Sequence, residues 1–283
     1  MSFQVVGVVG SGIMGAGVAE VAAATGAAVV VRARTRASGD AVVAQIDRSL
    51  NSQVDKGRLD AATSAAIRRR ITITDDVEDL SGCDLVIETV VEDLTVKREL
   101  FRALDAVVSP ETILATCTST LSIIDLAVQV SRPERVCGVH FFNPVPVMTL
   151  VEIVRPLTAS DETIAAVSAF ARDCGKEPIE VKDQAGFIVN ALLFPYLNNA
   201  VRLMENGVAT RDGIDAAMKG GCGFPMGPFA LLDLVGLDTT LAILEALHAE
   251  YAEANYAPAP LLRRMVSAGR LGRKSGSGFY QYR

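Results

Sequence analysis

The sequence predicts an α/β protein in which a doubly wound, mostly parallel sheet is followed by a smaller all-helical domain. Short apolar, β-rich segments alternate with helical segments up to about residue 183, as they do in parallel sheets. A glycine-rich turn joins the first predicted strand to the first helix. From residue 185 onward the sequence shows only helical periodicity. We therefore place a Rossmann-type domain at residues 1–184 and a helical domain at residues 185–283.

The beginning of the chain predicts a right-handed βαβ unit. FQVVGVVG is a β-rich run that ends in glycine, SGIMGAGVAEVAAATG is a helix of small residues that ends at Gly26, and AAVVVRA is a second strand. Residues 38–69 are predicted to form helices joined by an exposed charged connection. The later strands are predicted at RITITD, CDLVIETVV, TILATCT, RVCGVHFF, TLVEIVR and EPIEVKD, with helices at TVKRELFRALDAVV, LSIIDLAVQV and DETIAAVSAFARDCG.

The second domain is predicted to consist of five helices. Thr210 is a candidate N-cap, and Gly207 and Gly269 are candidate C-terminal stops. Nearly every helix has an apolar face, and a domain of about a hundred residues often buries such an excess in a subunit interface. We therefore expect a homodimer and assign this domain to substrate binding and dimerisation.

Composition excludes several functional classes. The chain is 50% hydrophobic and has a formal net charge of −6, which disfavours binding to nucleic acid or to an anionic membrane. Its apolar N-terminal segment lacks a basic start and is interrupted by glycines, so we predict folded protein rather than a signal peptide or a membrane span. The five widely spaced cysteines predict reduced thiols in a cytoplasmic protein and no metal site.

Gly10, Gly12 and Gly15 form a G-x-G-x-x-G motif between the first strand and the first helix. The first glycine permits a tight turn, the second lets the backbone approach a pyrophosphate, and the third lets the helix pack close to the strand. A purely structural turn is the alternative, but the βαβ context favours a dinucleotide site. We include Ile13 and Met14, which lie inside the motif, among the cofactor-binding candidates.

The second strand lacks the acidic residue that usually accepts hydrogen bonds from the adenosine ribose of NAD. Ala33 stands at the expected position, with Arg34 beside it, and the next carboxylate is Asp40. Without an acid a 2′-phosphate is not repelled, and an arginine can pair with it. We therefore slightly favour NADP over NAD. Alternatively, the arginines are solvated turn residues and the protein binds NAD.

His140 and Glu152 form a candidate acid–base pair. His140 ends an apolar strand at the edge of the sheet where doubly wound folds bind ligands, and the segment FNPVPVM then reverses the chain. Glu152 lies between Val151 and Ile153, where a carboxylate needs a partner that donates a hydrogen bond. A structural histidine is the alternative. The other histidine, His248, is predicted to be a partly exposed helical residue.

Over essentially its whole length the sequence resembles the short-chain L-3-hydroxyacyl-CoA dehydrogenases, and within them the bacterial 3-hydroxybutyryl-CoA dehydrogenases. The histidine loop and the ending K-S-G-x-G-F-Y are specific to that family. The matching segments are VVGSGIMGAGVAE, DLVIETVVEDLTVKRELF, GVHFFNPVPVMTLVEIV, DQAGFIVNALLFPYLNNA, FPMGPFALLDLVGLDT and LGRKSGSGFYQY.

The resemblance implies roles for individual residues in the interconversion of a 3-hydroxyacyl thioester and a 3-oxoacyl thioester. His140 would be the catalytic base and Glu152 its orienting partner, while Ser119 and Asn190 would contact the reacting oxygen of the substrate. Lys56 would contact coenzyme A. Beside the glycine turn, the dinucleotide site would be lined by Glu92, Lys97, Ser119, Asn143 and Lys274. Singly, each of these residues could instead be a cap, a surface charge or a structural group.

Two departures from the family pattern leave alternatives open. Ala33 replaces the usual acid, and Cys117 stands in TCTST where the family usually has an asparagine, a stronger hydrogen-bond partner. One alternative is the same chemistry on a hydroxyacyl group carried by an acyl carrier protein. Another is a catalytically silent dinucleotide-binding protein. Cys117 could also be a nucleophile, although hydride transfer requires none.

Overall fold

A computed structural model describes residues 3–282. Within this range the chain forms two compact units, one that ends at Gln184 and one that begins at Ala185. The first unit contains the whole sheet, and the second is helical. No helix among the described residues is both long enough and apolar enough to cross a bilayer.

Eight strands of the described chain form one sheet in the order β3-β2-β1-β4-β5-β6-β7-β8. All neighbouring strands pair in parallel except β6 and β7, which are antiparallel. The strands are β1 Val5–Val9, β2 Ala28–Arg32, β3 Ile71–Thr74, β4 Leu85–Glu88, β5 Ile113–Thr116, β6 Val136–Phe141, β7 Leu150–Arg155 and β8 Glu177–Lys182. The predicted sheet is confirmed, with one antiparallel pair.

The helices of the first unit connect these strands and cover the sheet. They are α1 Ile13–Ala24, α2 Arg36–Asp55, α3 Ala61–Arg69, α4 Leu94–Val107, α5 Ile124–Ala127 and α6 Asp161–Asp173. Helix α2 begins at a capping box in which Thr35 and Ser38 exchange side-chain and backbone hydrogen bonds. The small side chains of α1, such as Ala16 and Ala19, are buried against the strands, which explains why this helix is apolar on nearly all sides.

The second unit has its own core, built around residues such as Phe194, Phe229 and Leu244. Its helices are α7 Val189–Glu205, α8 Arg211–Cys222, α9 Pro228–Val235, α10 Leu237–Tyr251 and α11 Pro260–Ser267. Thr210 caps α8 by accepting a hydrogen bond from the backbone of Gly213. His248 is partly exposed on α10, as the sequence predicted.

Two buried carboxylates organise the second unit. Asp215 accepts hydrogen bonds from the first amides of α9 and from the hydroxyl of Tyr280, at 2.8–3.1 Å. Asp233 accepts two backbone N–H groups of the C-terminal segment, at 2.7 and 2.8 Å, and the hydroxyl of Tyr282 at 3.0 Å. A Cβ at Gly278 would lie only 1.9 Å from Asp233 Oδ1. The motif K-S-G-x-G-F-Y therefore fastens the chain end to α9.

Candidate functional site

The two strands of the antiparallel pair place His140 and Glu152 directly opposite each other in the β6–β7 ladder. Their side chains meet, with His140 Nδ1 2.7 Å from Glu152 Oε2. The exposed fraction is 5% for His140 and 0% for Glu152. The chain reversal that makes this pairing possible is held by Lys176, whose Nζ donates to the carbonyls of Val145 and Met148 at 2.6 and 2.9 Å.

The other imidazole nitrogen contacts a hydroxyl. Ser119 Oγ lies 3.0 Å from His140 Nε2, so Glu152, His140 and Ser119 form a continuous hydrogen-bonded chain. If Nδ1–H donates to the Glu152 carboxylate, Nε2 of the neutral ring is left as an acceptor. The Phe142 ring packs edge-on against the imidazole, with ring centroids 4.6 Å apart. This arrangement can take up a proton at Nε2 and stabilise the imidazolium that results.

The glycine turn is shaped to leave space at its tip. Gly10 has φ of +132°, and a Cβ there would lie 2.4 Å from Thr89 Oγ1, so only glycine fits. A Cβ on Gly15 would lie 2.2 Å from the carbonyl oxygen of Gly10. By contrast, a Cβ on Gly12 would meet no atom of the described chain within 4 Å. Gly12 is the N-cap of α1, and no side chain caps this end of the helix. The first backbone N–H groups of α1 therefore face the open space, where they could donate hydrogen bonds to a pyrophosphate.

A cavity of about 470 Å³ extends from the glycine turn to the end of β2. Its lining includes Gly10, Gly12, Arg32 and Arg34. Arg32 Nε is inaccessible to solvent and has no hydrogen-bond partner among residues 3–282. Ala33 itself is buried, 1% exposed, and its N–H donates to Thr74 in the neighbouring strand. The charged side chains that line this cavity are therefore the two arginines on either side of Ala33.

The remaining residues of the glycine motif differ in exposure. Ile13 begins α1 and is 60% exposed, whereas Met14 is partly buried against the core of the sheet. Ile13 also lines a second cavity, of about 190 Å³, together with Gly17 and Asn143, another of the predicted cofactor-binding residues. Lys56 is exposed at the C-terminal end of α2.

Glu92 organises the turn that carries Ser119. Its Oε1 accepts hydrogen bonds from the backbone N–H groups of Ser119 and Thr120, at 2.9 and 3.1 Å, and from the hydroxyls of Thr118 and Thr120. Partial burial alone would raise the pKa of Glu92, but the nearby Lys97 ammonium and these hydrogen bonds hold it below its ordinary value. Glu92 thus serves as an ionised anchor for the turn.

Lys97 is placed differently from what the sequence led us to expect. Its side chain is 1% exposed, and Nζ donates to both carboxylate oxygens of Glu88, at 2.6 and 2.8 Å. Nζ also lies 3.4 Å from Glu92 Oε2. These two carboxylates surround the ammonium group, so the alternative of an exposed helix pair is wrong for Lys97, while its role at the dinucleotide site stays a prediction.

Two candidate residues belong to the second unit. Asn190 is buried near the start of α7. Lys274 lies in a short 3₁₀ turn, with its Nζ 2.6 Å from the carboxylate of Asp238 on α10. Partial burial would raise the pKa of Asp238, but the Lys274 ammonium and local hydrogen bonds hold it below its ordinary value.

Three residues near the site, Glu88, Thr116 and Asp183, were not predicted from the sequence. Glu88 and Thr116 end adjacent strands and are fully buried, and Thr116 Oγ1 donates to Glu88 Oε2 at 2.7 Å. Asp183 accepts the backbone N–H groups of Ile123 and Ile124 at 3.0 and 2.8 Å, downstream of the Ser119 turn. Glu88 could have been found from the signal that identified Glu152, a carboxylate next to an apolar strand.

Cys117 precedes this turn and is partly buried. Burial raises the pKa of its thiol to about 12, so the group is protonated at neutral pH and is a poor nucleophile. The five cysteines are all free thiols.

Comparisons with known proteins cover the whole described chain. The family model described as "3-hydroxyacyl-CoA dehydrogenase, NAD binding domain" matches residues 5–184, and "3-hydroxyacyl-CoA dehydrogenase, C-terminal domain" matches residues 186–282. A 3-hydroxybutyryl-CoA dehydrogenase of Clostridioides difficile is 43% identical over 97% of this chain and 98% of its own length. The human mitochondrial hydroxyacyl-coenzyme A dehydrogenase is 43% identical over 98% of this chain and 90% of its own. The crystal structure of (S)-3-hydroxybutyryl-CoA dehydrogenase from Ralstonia eutropha matches with a TM-score of 0.97 and 44% identity, covering 100% of both chains.

Proposed function

Because this chain belongs to the 3-hydroxyacyl-CoA dehydrogenase family, we propose that it interconverts a 3-hydroxyacyl-CoA and the corresponding 3-oxoacyl-CoA by hydride transfer with a nicotinamide cofactor. The observation that carries this proposal is the hydrogen-bonded chain Glu152–His140–Ser119. It provides a buried imidazole with one nitrogen held by a carboxylate and the other directed toward a hydroxyl, which is the geometry of a general base. The first unit is the dinucleotide-binding domain in this proposal.

In the oxidative direction, His140 Nε2 accepts the proton of the substrate's C3 hydroxyl, and in the reductive direction it returns that proton. Glu152 keeps the proton-bearing Nδ1 oriented and stabilises the imidazolium by charge. Ser119 directs its hydroxyl to the same nitrogen and holds the reacting oxygen where negative charge develops. The nicotinamide ring, when bound, supplies the chemistry of hydride acceptance and donation at C4. A positioned acid–base group of this kind contributes about 10²–10⁴ in rate.

We assign a short-chain acyl-CoA as the substrate because the relatives from C. difficile and R. eutropha are named for 3-hydroxybutyryl-CoA. These names give no support to an acyl group on a carrier protein. Lys56, exposed at the end of α2, is the proposed contact to coenzyme A. Asn190 is proposed as a further contact to the reacting oxygen, and Lys274 as a cofactor contact; both roles follow from the resemblance.

We favour NADP as the dinucleotide because of the end of β2. Arg32 and Arg34 line the cavity that extends from the glycine turn, and Arg32 Nε is a buried donor with no partner among the described residues. Along the chain no carboxylate follows β2 until Asp40, which lies inside α2, and no carboxylate is among the described residues that line this cavity. A 2′-phosphate would complete the hydrogen bonding of the guanidinium groups, whereas a ribose hydroxyl would find no acidic acceptor.

The second unit is proposed to bind substrate and to form a homodimer. Several of its large apolar side chains are exposed, among them Leu192 at 71% and Leu234 at 50%. Such exposure in a small helical unit is typical of a subunit interface. Free cysteines, four of which have a thiol pKa raised by burial to about 12, agree with a cytoplasmic, reducing location.

The proposal is tested by steady-state reduction of acetoacetyl-CoA with NADH and with NADPH, compared with the same acyl group on a carrier protein. We expect reduction of the coenzyme A thioester and a higher kcat/KM with NADPH. Arg34→Ser should lower kcat/KM about tenfold or more with NADPH, the value of one charge-assisted contact, and leave NADH use nearly unchanged. Lys219→Ser, an exposed charge on α8, serves as the control.

The outcomes separate the parts of the proposal. No reduction of either thioester would identify a catalytically silent dinucleotide-binding protein. Faster reduction of the carrier-protein thioester would replace the assigned substrate. Equal or better use of NADH, with Arg34→Ser indistinguishable from the control, would reject the role of the β2 arginines while leaving the reaction in place.

A further inference from the structure

Beside the proposed catalytic chain lies a fully buried polar cluster that takes no part in acid–base chemistry. It consists of Glu88 at the end of β4, Thr116 at the end of β5 and Lys97 on α4, with exposed fractions of 0%, 0% and 1%. Glu88 receives both hydrogen bonds from Lys97, one from Thr116 Oγ1 at 2.7 Å and one from the backbone N–H of Val90 at 2.6 Å. Its carboxylate is thus saturated from inside the protein.

Stability alone does not account for such a cluster. Desolvating a carboxylate and an ammonium group costs several kcal/mol for each ion, and an apolar pair of similar volume is often equally stable or more so. An ion pair whose hydrogen bonds are all made does provide a fixed geometry, because each group is held by its partners in one defined orientation. The cluster can therefore fix the position of the backbone segments to which it is bonded.

Both ends of the cluster lead to the turn that carries Ser119. Thr116 Oγ1, which donates to Glu88, also accepts the backbone N–H of Thr118 at 3.2 Å. Lys97 Nζ reaches Glu92, which accepts the backbone N–H of Ser119 at 2.9 Å. The turn is thus held on one side through a hydroxyl and on the other through a second carboxylate.

We propose that Glu88, Lys97 and Thr116 form a positioning cluster that sets the turn at residues 118–120, so that the Ser119 hydroxyl meets His140 Nε2. The 3.0 Å contact between these two groups depends on the backbone position of Ser119, which is fixed by the contacts just described. The inference rests on the proposed function, since it assigns the cluster to the efficiency of that proton transfer. Lys97 acts in this cluster as a positioning residue.

The test compares two substitutions of one residue. Thr116→Val keeps the shape of the side chain and removes the hydroxyl, whereas Thr116→Ser keeps the hydroxyl and removes a methyl group. The single-turnover rate of acetoacetyl-CoA reduction is measured at saturation with the dinucleotide that the wild type uses better, together with KM for that dinucleotide. We expect Thr116→Val to lower the rate about tenfold, the effect of about one lost hydrogen bond, with KM changed less than about twofold. Thr116→Ser should restore most of the rate.

A double variant tests the ion pair itself. Glu88→Gln combined with Lys97→Met replaces both charges by neutral side chains of similar size, so the fold should be retained. Its single-turnover rate should also fall by about tenfold or more, with circular dichroism and KM for the dinucleotide close to those of the wild type.

Three results would overturn the inference: a wild-type rate in Thr116→Val or in the folded double variant, an equal loss of rate in Thr116→Ser and Thr116→Val, or a loss confined to KM for the dinucleotide. The last result would make Lys97 and its partners a binding feature of the cofactor site. A wild-type protein that does not reduce acetoacetyl-CoA at all would instead reject the proposed function.

Discussion

Glu152 in the first unit and Asp233 in the second are both almost inaccessible to solvent, with exposed fractions of 0% and 1%, yet they bond to different kinds of partner. Glu152 bonds to an imidazole, that of His140, at 2.7 Å. Asp233 bonds to two backbone N–H groups and to the hydroxyl of Tyr282. A buried carboxylate needs donors in either case, but of these two only the first is bonded to a histidine, the side chain most often used as a general acid or base.

The difference in partners indicates different roles, catalytic for Glu152 in the proposed reaction and structural for Asp233. The backbone amides held by Asp233 keep their protons throughout, so its hydrogen bonds can stabilise only one geometry, that of the C-terminal segment against α9. In the proposed reaction, by contrast, the carboxylate of Glu152 stabilises the imidazolium that His140 forms when it takes up the substrate proton. Substitutions in the two places should therefore affect different measurements, activity in the first unit and stability in the second.

The largest effect is expected from His140→Gln. Glutamine removes the titratable nitrogen, so the rate of acetoacetyl-CoA reduction should fall by about 10²–10⁴. Dinucleotide affinity, measured by quenching of nicotinamide fluorescence, should change little because the glycine turn is untouched. A His140→Gln protein with near wild-type turnover would remove the acid–base assignment.

The matched variant Glu152→Gln keeps the shape of the partner and removes its charge. It should lower the same rate by a smaller factor, because His140 remains present but loses the group that orients it and stabilises its charged form. A loss larger than that of His140→Gln would indicate that the fold of the β6–β7 pair, rather than proton transfer, is affected; circular dichroism distinguishes the two.

The next effect concerns stability. Asp233→Asn places an amide against two backbone donors and removes the charge that they share, so the free energy of unfolding should fall by about 2–4 kcal/mol. Urea denaturation followed by circular dichroism measures this change. Glu250→Gln, an exposed substitution on α10, is the control and should stay within about 0.5 kcal/mol of the wild type. If the two variants unfold alike, the C-terminal segment is not held by Asp233.

The smallest effect is expected at Glu20, a buried carboxylate on α1 whose neighbours only partly compensate for its burial. Burial raises the pKa of Glu20, although hydrogen bonds from Ser49 and Gln53 and the charge of Lys176 oppose the shift. A raised folded-state pKa means that the folded protein favours the protonated carboxyl. Stability from this group is therefore present below about pH 4.3, its unfolded pKa, and is lost as the pH rises through the folded value.

Glu20→Gln removes that pH dependence while keeping an acceptor for Gln53, whose Nε2 lies 2.6 Å from the carboxylate. The variant should therefore have a slightly higher Tm than the wild type at pH 7, and the difference should shrink toward pH 4. Thermal unfolding at several pH values measures it. A Tm below that of the wild type at pH 7 would show that the ionised carboxylate is well compensated after all.

The sequence was a good guide wherever one local pattern decides the structure. Strands and helices of the first unit follow directly from apolar runs and their periodicity, and the glycine spacing identified the turn before α1. Family membership, too, could be recognised from the histidine loop and the C-terminal motif, and the comparisons confirm it. The NADP preference, the dimer and the residue roles remain predictions.

Lys97 shows where sequence reasoning fails. On α4 it resembles an ordinary helix lysine or a cofactor ligand, and its real partner, Glu88, ends the preceding strand. Only the parallel pairing of β4 with β5 brings Glu88 beside Thr116 and creates the buried cluster. No pattern along the chain predicts the contact between Glu88 and Thr116, which are 28 residues apart, because it depends on strand order and register.

The sequence by itself determined the fold class, the glycine turn and the identity of the acid–base candidates, because these depend on residue type and on spacing within single elements. The sequence also predicted the chain reversal between His140 and Glu152. Tertiary structure alone decided the register that places them opposite each other, with Ser119 on the far side of the imidazole ring. Hydrogen bonds act over about 3 Å, and only the folded chain brings atoms from three separate segments within that distance.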